Sequence, residues 1–302
     1  EIVQSRKGCC FIAIDSPDFH TTLIRYAIRK GVRSGWLAPP QAWAWRSSRA
    51  NWLAQWRVPI AVLFPFEEKW FAKRHCRVTW VGHPLVSECA KAARTASCDR
   101  DTILLLPGSR PSRWRAQLEW LLPLYRKIVQ RDVKGRWRQI IVPVAQRSQM
   151  KPMAELLRSL APDDQIEVFY RYDNIELCRA VAISLPGTAT LELALRAVPF
   201  VVGYRVPRLD RLLFGKLLQV RFFSLPNLIL NTERVPETIF TSLKNLSLDH
   251  WAESVLSSWE KQSRDVEDHV SQLASLLEGD RFSEQIIEWL NAPSSGSKRC
   301  NL

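Results

Sequence analysis

The sequence predicts an α/β protein in two lobes, each a parallel sheet covered by helices. Three observations carry this. Short apolar runs alternate with helical patterns along most of the chain, the rhythm of a parallel sheet buried on both faces. A small, polar stretch from Ala90 to Arg100 interrupts that rhythm, which then restarts, so the stretch reads as a linker. Polar turns holding glycine or aspartate stand at the ends of predicted strands, where open parallel sheets bind ligands. The resulting boundaries are a first lobe over 1–95, a second over 96–245, and C-terminal helices with a tail over 246–302.

The elements follow in order. Cys9 to Ile14 is an apolar run ending at Asp15-Ser16-Pro17-Asp18-Phe19. A helical pattern follows with Leu23, Ile24, Ala27 and Ile28 on one side and Gly31 as its stop. Trp36-Leu37-Ala38 is a short strand closed by Pro39-Pro40, and Trp43-Ala44-Trp45-Arg46 leads into a helix through Trp52 and Trp56. Ile60 to Phe64 is a buried strand, Pro65-Phe66-Glu67 opens a helix, and Val78 to Val81 is a strand ending in Gly82-His83-Pro84-Leu85.

Beyond the linker, Ile103 to Leu106 is a strand ending in Pro107-Gly108-Ser109-Arg110, followed by a helix from about Trp114 to Gln130. Ile140 to Val144 and Ile166 to Tyr170 are strands flanking a helix over Met150 to Leu160, and a short helix is expected near Ile175 to Arg179. Val181 to Leu185 is the next strand. It stops at Pro186-Gly187, where Thr188 or Thr190 can cap a helix carrying Leu191, Ala194 and Leu195 on one face. Phe200-Val201-Val202 starts another strand. A basic helix (Arg208, Arg211, Lys216, Arg221), the turn Ser224-Leu225-Pro226-Asn227-Leu228 and Val235-Pro236-Glu237 follow. From about Leu246 to Leu290 the pattern is amphipathic helix, and the tail from Ser294 to Arg299 reads as disordered.

Four strand-end turns hold the chemistry, and they are expected to converge on a cleft between the lobes. Asp15 and Asp18 flank Pro17, where a carboxylate can act as general base for a sugar hydroxyl; Asp18 can equally be a helix cap. Gly108-Ser109-Arg110 offers amides and a guanidinium suited to a diphosphate, or is a plain basic turn. His83 is placed to donate to a phosphate or hydroxyl, or to brace its own turn. Gly187-Thr188-Ala189-Thr190 puts backbone amides at a helix start, where a phosphate fits, and Glu192 lies just inside, within reach of sugar hydroxyls. A structural turn with a capping carboxylate would have the same sequence. Tyr204, Arg205 and Asn227 are weaker candidates. Trp43, Trp45 and Arg46 suit a surface facing lipid, or a core position for one of the tryptophans.

Composition narrows the partners. The net charge of +13 over 302 residues calls for an anionic partner, and 13 Trp fit either a membrane interface or base stacking. Seven Cys without a C-x-x-C spacing argue against a disulfide framework and a zinc site and favour a reducing compartment. The five His are dispersed, so no metal is expected. No run approaches the roughly 18 to 20 apolar residues of a spanning helix, and no signal-peptide pattern is read.

Taken together, Ile14 to Phe19, Trp43 to Arg46, Leu63 to Glu67, Val81 to Leu85, Leu106 to Arg110, Gly187 to Glu192, Val201 to Arg205 and Ser224 to Leu228 resemble lipid-A-disaccharide synthase, in one collinear series over roughly Cys9 to Glu237. The resemblance implies a GT-B glycosyltransferase: two Rossmann-like lobes with the active site between them. The implied reaction moves 2,3-diacylglucosamine from UDP-2,3-diacylglucosamine to the 6-hydroxyl of 2,3-diacylglucosamine 1-phosphate. It gives a β-1,6 disaccharide and UDP with inversion, and uses neither metal nor cofactor. Asp18 matches the proposed base, with Asp15 second. Gly108, Ser109, Arg110 and the Gly187 to Glu192 turn match the UDP-binding part, and Asn227 matches an active-site position. A cytoplasmic enzyme peripheral on the inner face of the membrane is implied. Two lipid-linked phosphates and an anionic bilayer then account for the positive charge, and no nucleic acid is expected.

The chain departs from the family pattern at Pro186 (usually Ser), near Arg113 (usually Glu), at His20 (usually Asn) and at Phe240 (usually Gln). The family's first βαβ portion, with its glycine-rich turn, is expected to be missing before Glu1. The sheet edge so exposed would favour association, such as a homodimer. Two rivals carry the same motifs: a relative that binds UDP-sugar or lipid without transfer, and another UDP-GlcNAc-type enzyme of the same fold.

Overall fold

The computed structural model describes residues 10–44, 47–90, 99–132, 135–173, 175–206, 221–277 and 282–292. The chain divides into two compact units. In its described residues the first takes the chain to Ser87 together with the stretch from Ser275, and the second takes Glu88 to Ala274.

The first unit is a four-stranded, wholly parallel sheet in the order β1 (Cys10–Ile14), β2 (Arg33–Leu37), β3 (Ile60–Val62), β4 (Val78–Trp80). Helices α1 (Pro17–Arg29), α2 (Arg49–Gln55) and α3 (Pro65–Ala72) make the crossovers that parallel pairing requires, and α4 (Pro84–Ala90) follows β4. Strand β3 stops at Val62, short of the predicted Phe64, because Leu63 and Phe64 donate their amides to the Glu67 carboxylate at 3.2 and 3.1 Å and so form the cap of α3. On α1 the buried side chains are Ile24 and Ala27, whereas Leu23 is exposed. The sheet is closed by the C-terminal helix (Phe282–Asn291; α10 in the numbering completed below). Its Trp289 packs with Ala61 and Val81, over a strand position that only glycine permits: a Cβ on Gly35 would lie 2.9 Å from the indole.

The second unit is a six-stranded parallel sheet built from β5 (Thr102–Leu106), β6 (Gln139–Val144), β7 (Ile166–Tyr170), β8 (Ala180–Ser184), β9 (Phe200–Arg205) and β10 (Glu237–Phe240), in the order β10-β9-β8-β5-β6-β7. Every residue of β5 and β8 is buried, which is why both read as unbroken apolar runs. The helices are α5 (Trp114–Arg131), α6 (Met150–Leu160), α7 (Thr188–Leu195), α8 (Leu225–Leu230) and α9 (Leu248–Leu277). Under α5 the core centres on Trp120, stacked on Trp251 at 5.6 Å. Two expectations are corrected. The helix near Ile175 is a single 3-10 turn, Leu177–Arg179. Neither threonine caps α7: Gly187 is the cap, Thr188 the first helical residue, and Leu191, Leu193 and Leu195 the buried face. The linker centre, Arg208, Arg211, Lys216 and the tail lie outside the described residues, as do Trp45 and Arg46.

Strand order fixes where a ligand can sit in the second unit. From β5 the chain builds outward through β6 and β7, then returns to lay β8 on the other side of β5 and continues through β9 to β10. The direction of winding therefore reverses between β5 and β8, which run side by side from Thr102↔Ala180 to Leu106↔Ser184. At such a reversal the loops leaving neighbouring strands part and open a crevice at their carboxyl ends.

Candidate active site

The two glycine turns leave the sheet at this reversal. Gly108, at φ 85°, follows β5 and is exposed, and a Cβ added there would lie 4.0 Å from Leu185 of the neighbouring turn. Its carbonyl accepts the Trp114 indole N–H at 2.8 Å, and the Ser109 carbonyl accepts Nε2 of Gln149 at 3.2 Å. Arg110 is exposed, and its guanidinium takes no partner among the described residues. On the β8 side, Gly187 adopts φ 143° and is exposed together with Thr188, beside half-buried Ala189. The buried Thr190 hydroxyl donates to the Gly187 carbonyl at 2.7 Å and accepts the Leu225 amide at 3.1 Å, tying the turn to α8. Pro186 has no amide to offer, so the free amides of this turn begin at Gly187.

Around these turns the other candidates divide. Glu192 is engaged with Arg196 at 3.2 Å on its own helix, which fixes its carboxylate without using all its acceptor capacity. Tyr204 is half-buried, its ring 6.1 Å from Phe223, and Arg205 pairs with Glu119 at 3.0 Å. Asn227 is wholly buried and fully used. Its Nδ2 donates to Val235 O at 2.7 Å and to Glu237 at 2.8 Å, and its Oδ1 accepts the amides of Arg234 and Val235 at 2.8 and 2.9 Å. An asparagine makes about four such bonds, so Asn227 has nothing left for a ligand and acts as a brace.

In the first unit, Asp15 and Ser16 both adopt positive φ (48° and 45°), an uncommon conformation for residues with a Cβ. The Asp15 carbonyl accepts Nδ1 of His20 at 2.9 Å, so histidine at this position braces the turn. The Asp18 carboxylate is 84% exposed and pairs with Arg49 at 2.8 Å. Asp18 is therefore inside the first turn of α1 rather than its cap, which is Ser16. His83 is buried, stacked on Phe64 at 5.3 Å, and its Nδ1 accepts the Leu85 amide at 3.1 Å. Burial lowers its pKa to about 4, so the ring is neutral near pH 7 and carries its proton on Nε2.

Trp43 does not face lipid. It is buried and donates to Oε1 of Glu67 at 2.8 Å, because the indole N–H needs an acceptor once the ring is in the core. Glu67 itself lies 4% exposed. Burial raises its pKa to about 7, against the bonds from Trp43, Phe64 and Leu63 that favour the charged form. Glu67 and Glu237 were not singled out as chemistry-bearing residues from sequence. The Pro-x-Glu start of α3 and the Pro-Glu that opens β10 were visible, but their partners were not. Among the described residues no cluster of three or more His, Cys, Asp or Glu is placed to hold a metal, and no helix is long and apolar enough to cross a membrane.

Comparison with known proteins agrees with this architecture. The family model for lipid-A-disaccharide synthetase matches residues 1–287. The lipid-A-disaccharide synthase of Geobacter sulfurreducens is 31% identical over 249 residues, covering 79% of this chain and 63% of that protein. The chain thus spans less than two thirds of that relative. The synthase of Gluconobacter oxydans is 28% identical and aligns with 98% of this chain and 74% of its own. Among solved structures, the S. aureus MnaA–UDP co-structure superposes with a TM-score of 0.53 at 12% identity, covering 92% of this chain and 72% of that one. Likeness at that identity shows the fold, which is GT-B. With the family model matched along nearly the whole chain, the protein belongs to the lipid-A-disaccharide synthase family.

Proposed function

We propose that the chain carries out glycosyl transfer from UDP-2,3-diacylglucosamine to 2,3-diacylglucosamine 1-phosphate. The observation that carries this reading is the pair of glycine turns at the β5/β8 reversal, with free amides and an unpaired Arg110 on exposed backbone. That arrangement suits a diphosphate, and family membership names the sugar carrier. Arg110 and the Gly187 to Ala189 amides bind the UDP phosphates and take up the charge of the leaving group, with Glu192 toward the ribose. Asp18, or failing it Asp15, accepts the proton of the acceptor's 6-hydroxyl as that oxygen bonds to the anomeric carbon. The bond from that carbon to UDP breaks on the opposite face, and UDP leaves with the electron pair, so configuration inverts. No metal is required in this scheme. The charge of +13 supports work at an anionic surface, the inner face of the cytoplasmic membrane.

The test is incubation of the chain with both lipids, following UDP and disaccharide. Equal amounts of the two products are expected. UDP release that does not depend on acceptor, or the absence of disaccharide, overturns the proposal.

A further inference from the structure

We infer that Trp114 and Gln149 are positioning residues that turn the Ser109 and Arg110 amides toward an anion. The inference rests on the diphosphate reading above and deepens it. Both residues act on peptide planes. In a trans peptide the carbonyl and the N–H point in opposite directions, so holding one aims the other. The Trp114 indole holds the Gly108 carbonyl at 2.8 Å, which turns the Ser109 N–H away from α5. The Gln149 amide holds the Ser109 carbonyl at 3.2 Å, which turns the Arg110 N–H away from Gln149.

The orientation of Gln149 is itself fixed. Its Oε1 accepts the Gln146 amide at 3.2 Å, so only its Nε2 is available to Ser109. Gln149 follows β6, which flanks β5 on one side, and β8 flanks it on the other. A carbonyl drawn to the β6 side leaves its amide facing the β8 side, where Gly187, Thr188 and Ala189 begin α7. Neither the Ser109 nor the Arg110 N–H has an acceptor among the described residues. Two aimed and unsatisfied donors beside a free guanidinium make a preorganised anion cradle, one that needs little rearrangement when the ligand arrives. Neither Trp114 nor Gln149 need touch the ligand.

The experiment is calorimetric titration of the chain, Trp114→Phe and Gln149→Met with inorganic diphosphate, UDP and uridine. Phenylalanine keeps an aromatic ring in the core, and methionine keeps side-chain length; each lacks the N–H. Each variant is expected to bind diphosphate and UDP about fivefold more weakly, the effect of one ordinary hydrogen bond, and uridine within twofold of the parent. Equal losses for uridine and UDP make the two residues merely structural and overturn the inference. So does unchanged diphosphate binding in both variants, or none to the parent chain. If diphosphate follows the expected pattern but UDP binds no tighter than diphosphate, the inference stands and the UDP-sugar reading falls.

Discussion

Nδ2 of Asn227 donates to Oε1 of Glu237 at 2.8 Å, and the same carboxylate accepts the amides of Phe223 and Ser224 at 2.7 and 2.9 Å and the Ser224 hydroxyl at 2.6 Å. The start of α8 is thus held by one side chain from β10. Asn227→Ala strands the amides of Arg234 and Val235, and is expected to lower stability by about 2–3 kcal/mol in urea unfolding. UDP affinity of the folded variant should stay within twofold. A large loss of affinity at unchanged stability would show that Asn227 contacts the ligand and is not a brace.

Thr190→Val removes the hydroxyl that links Gly187 to Leu225 while keeping the shape of the side chain. The buried Leu225 amide then lacks its acceptor, at a cost of about 1–3 kcal/mol. Because the same hydroxyl fixes the Gly187 turn, UDP binding should weaken several-fold as well, measured by calorimetry below the melting temperature. Loss of stability with unaltered binding would separate the turn from the donor site.

For Asp18, replacement by Asn keeps the contact to Arg49 but removes the base. Turnover is expected to fall about 100- to 10,000-fold, with UDP affinity unchanged. Asp15→Asn should have the smaller effect. Were the two effects reversed, the proton acceptor would be Asp15.

The pH dependence of the first unit follows from two buried groups. Glu67 titrates near 7 in the folded chain against a normal 4.5, so the folded state holds that proton more tightly and stability falls as pH rises between those values. His83 titrates near 4 against a normal 6.5, so the folded state holds it less tightly and stability rises with pH over that interval. The two slopes oppose each other between 4.5 and 6.5. Parent stability should be nearly flat there. Glu67→Gln, which abolishes one slope, should lose up to about 3 kcal/mol as pH drops from 6.5 to 4. Denaturant midpoints for both proteins across this range decide it; parallel curves would remove the Glu67 titration from the account, and a variant curve without slope would remove that of His83.

Gly203→Ala tests the core of the second unit. A Cβ there would lie 2.5 Å from the Trp120 ring and 3.1 Å from Trp251. Since Trp120 is wholly buried, the ring has little room to yield, and about 1–3 kcal/mol of stability should be lost. Thermal unfolding gives the magnitude, and an unshifted melting temperature would mean that the indoles repack freely.

Much of this protein is legible in its sequence because much of it is local. Met150 to Leu160 and Ile166 to Tyr170 form over the residues that periodicity indicates, and the polar turns fall at strand ends, since burial pattern and turn chemistry are properties of neighbouring residues. The collinear motifs were enough to name the family. What the sequence leaves open is pairing at a distance. The glycine turn after β8 gains its place from strand order, because the chain reverses its winding between β5 and β8. Trp43 reads as either a lipid-facing or a core aromatic until Glu67, 24 residues on, takes its N–H inside the core. Asn227 reads as a site residue until Val235 and Glu237 close around it. Sequence determined the elements, the turns and the family. Tertiary structure decided which polar groups are spent on one another and which remain free for a ligand, because a hydrogen-bonding group satisfied within the fold has nothing left to offer.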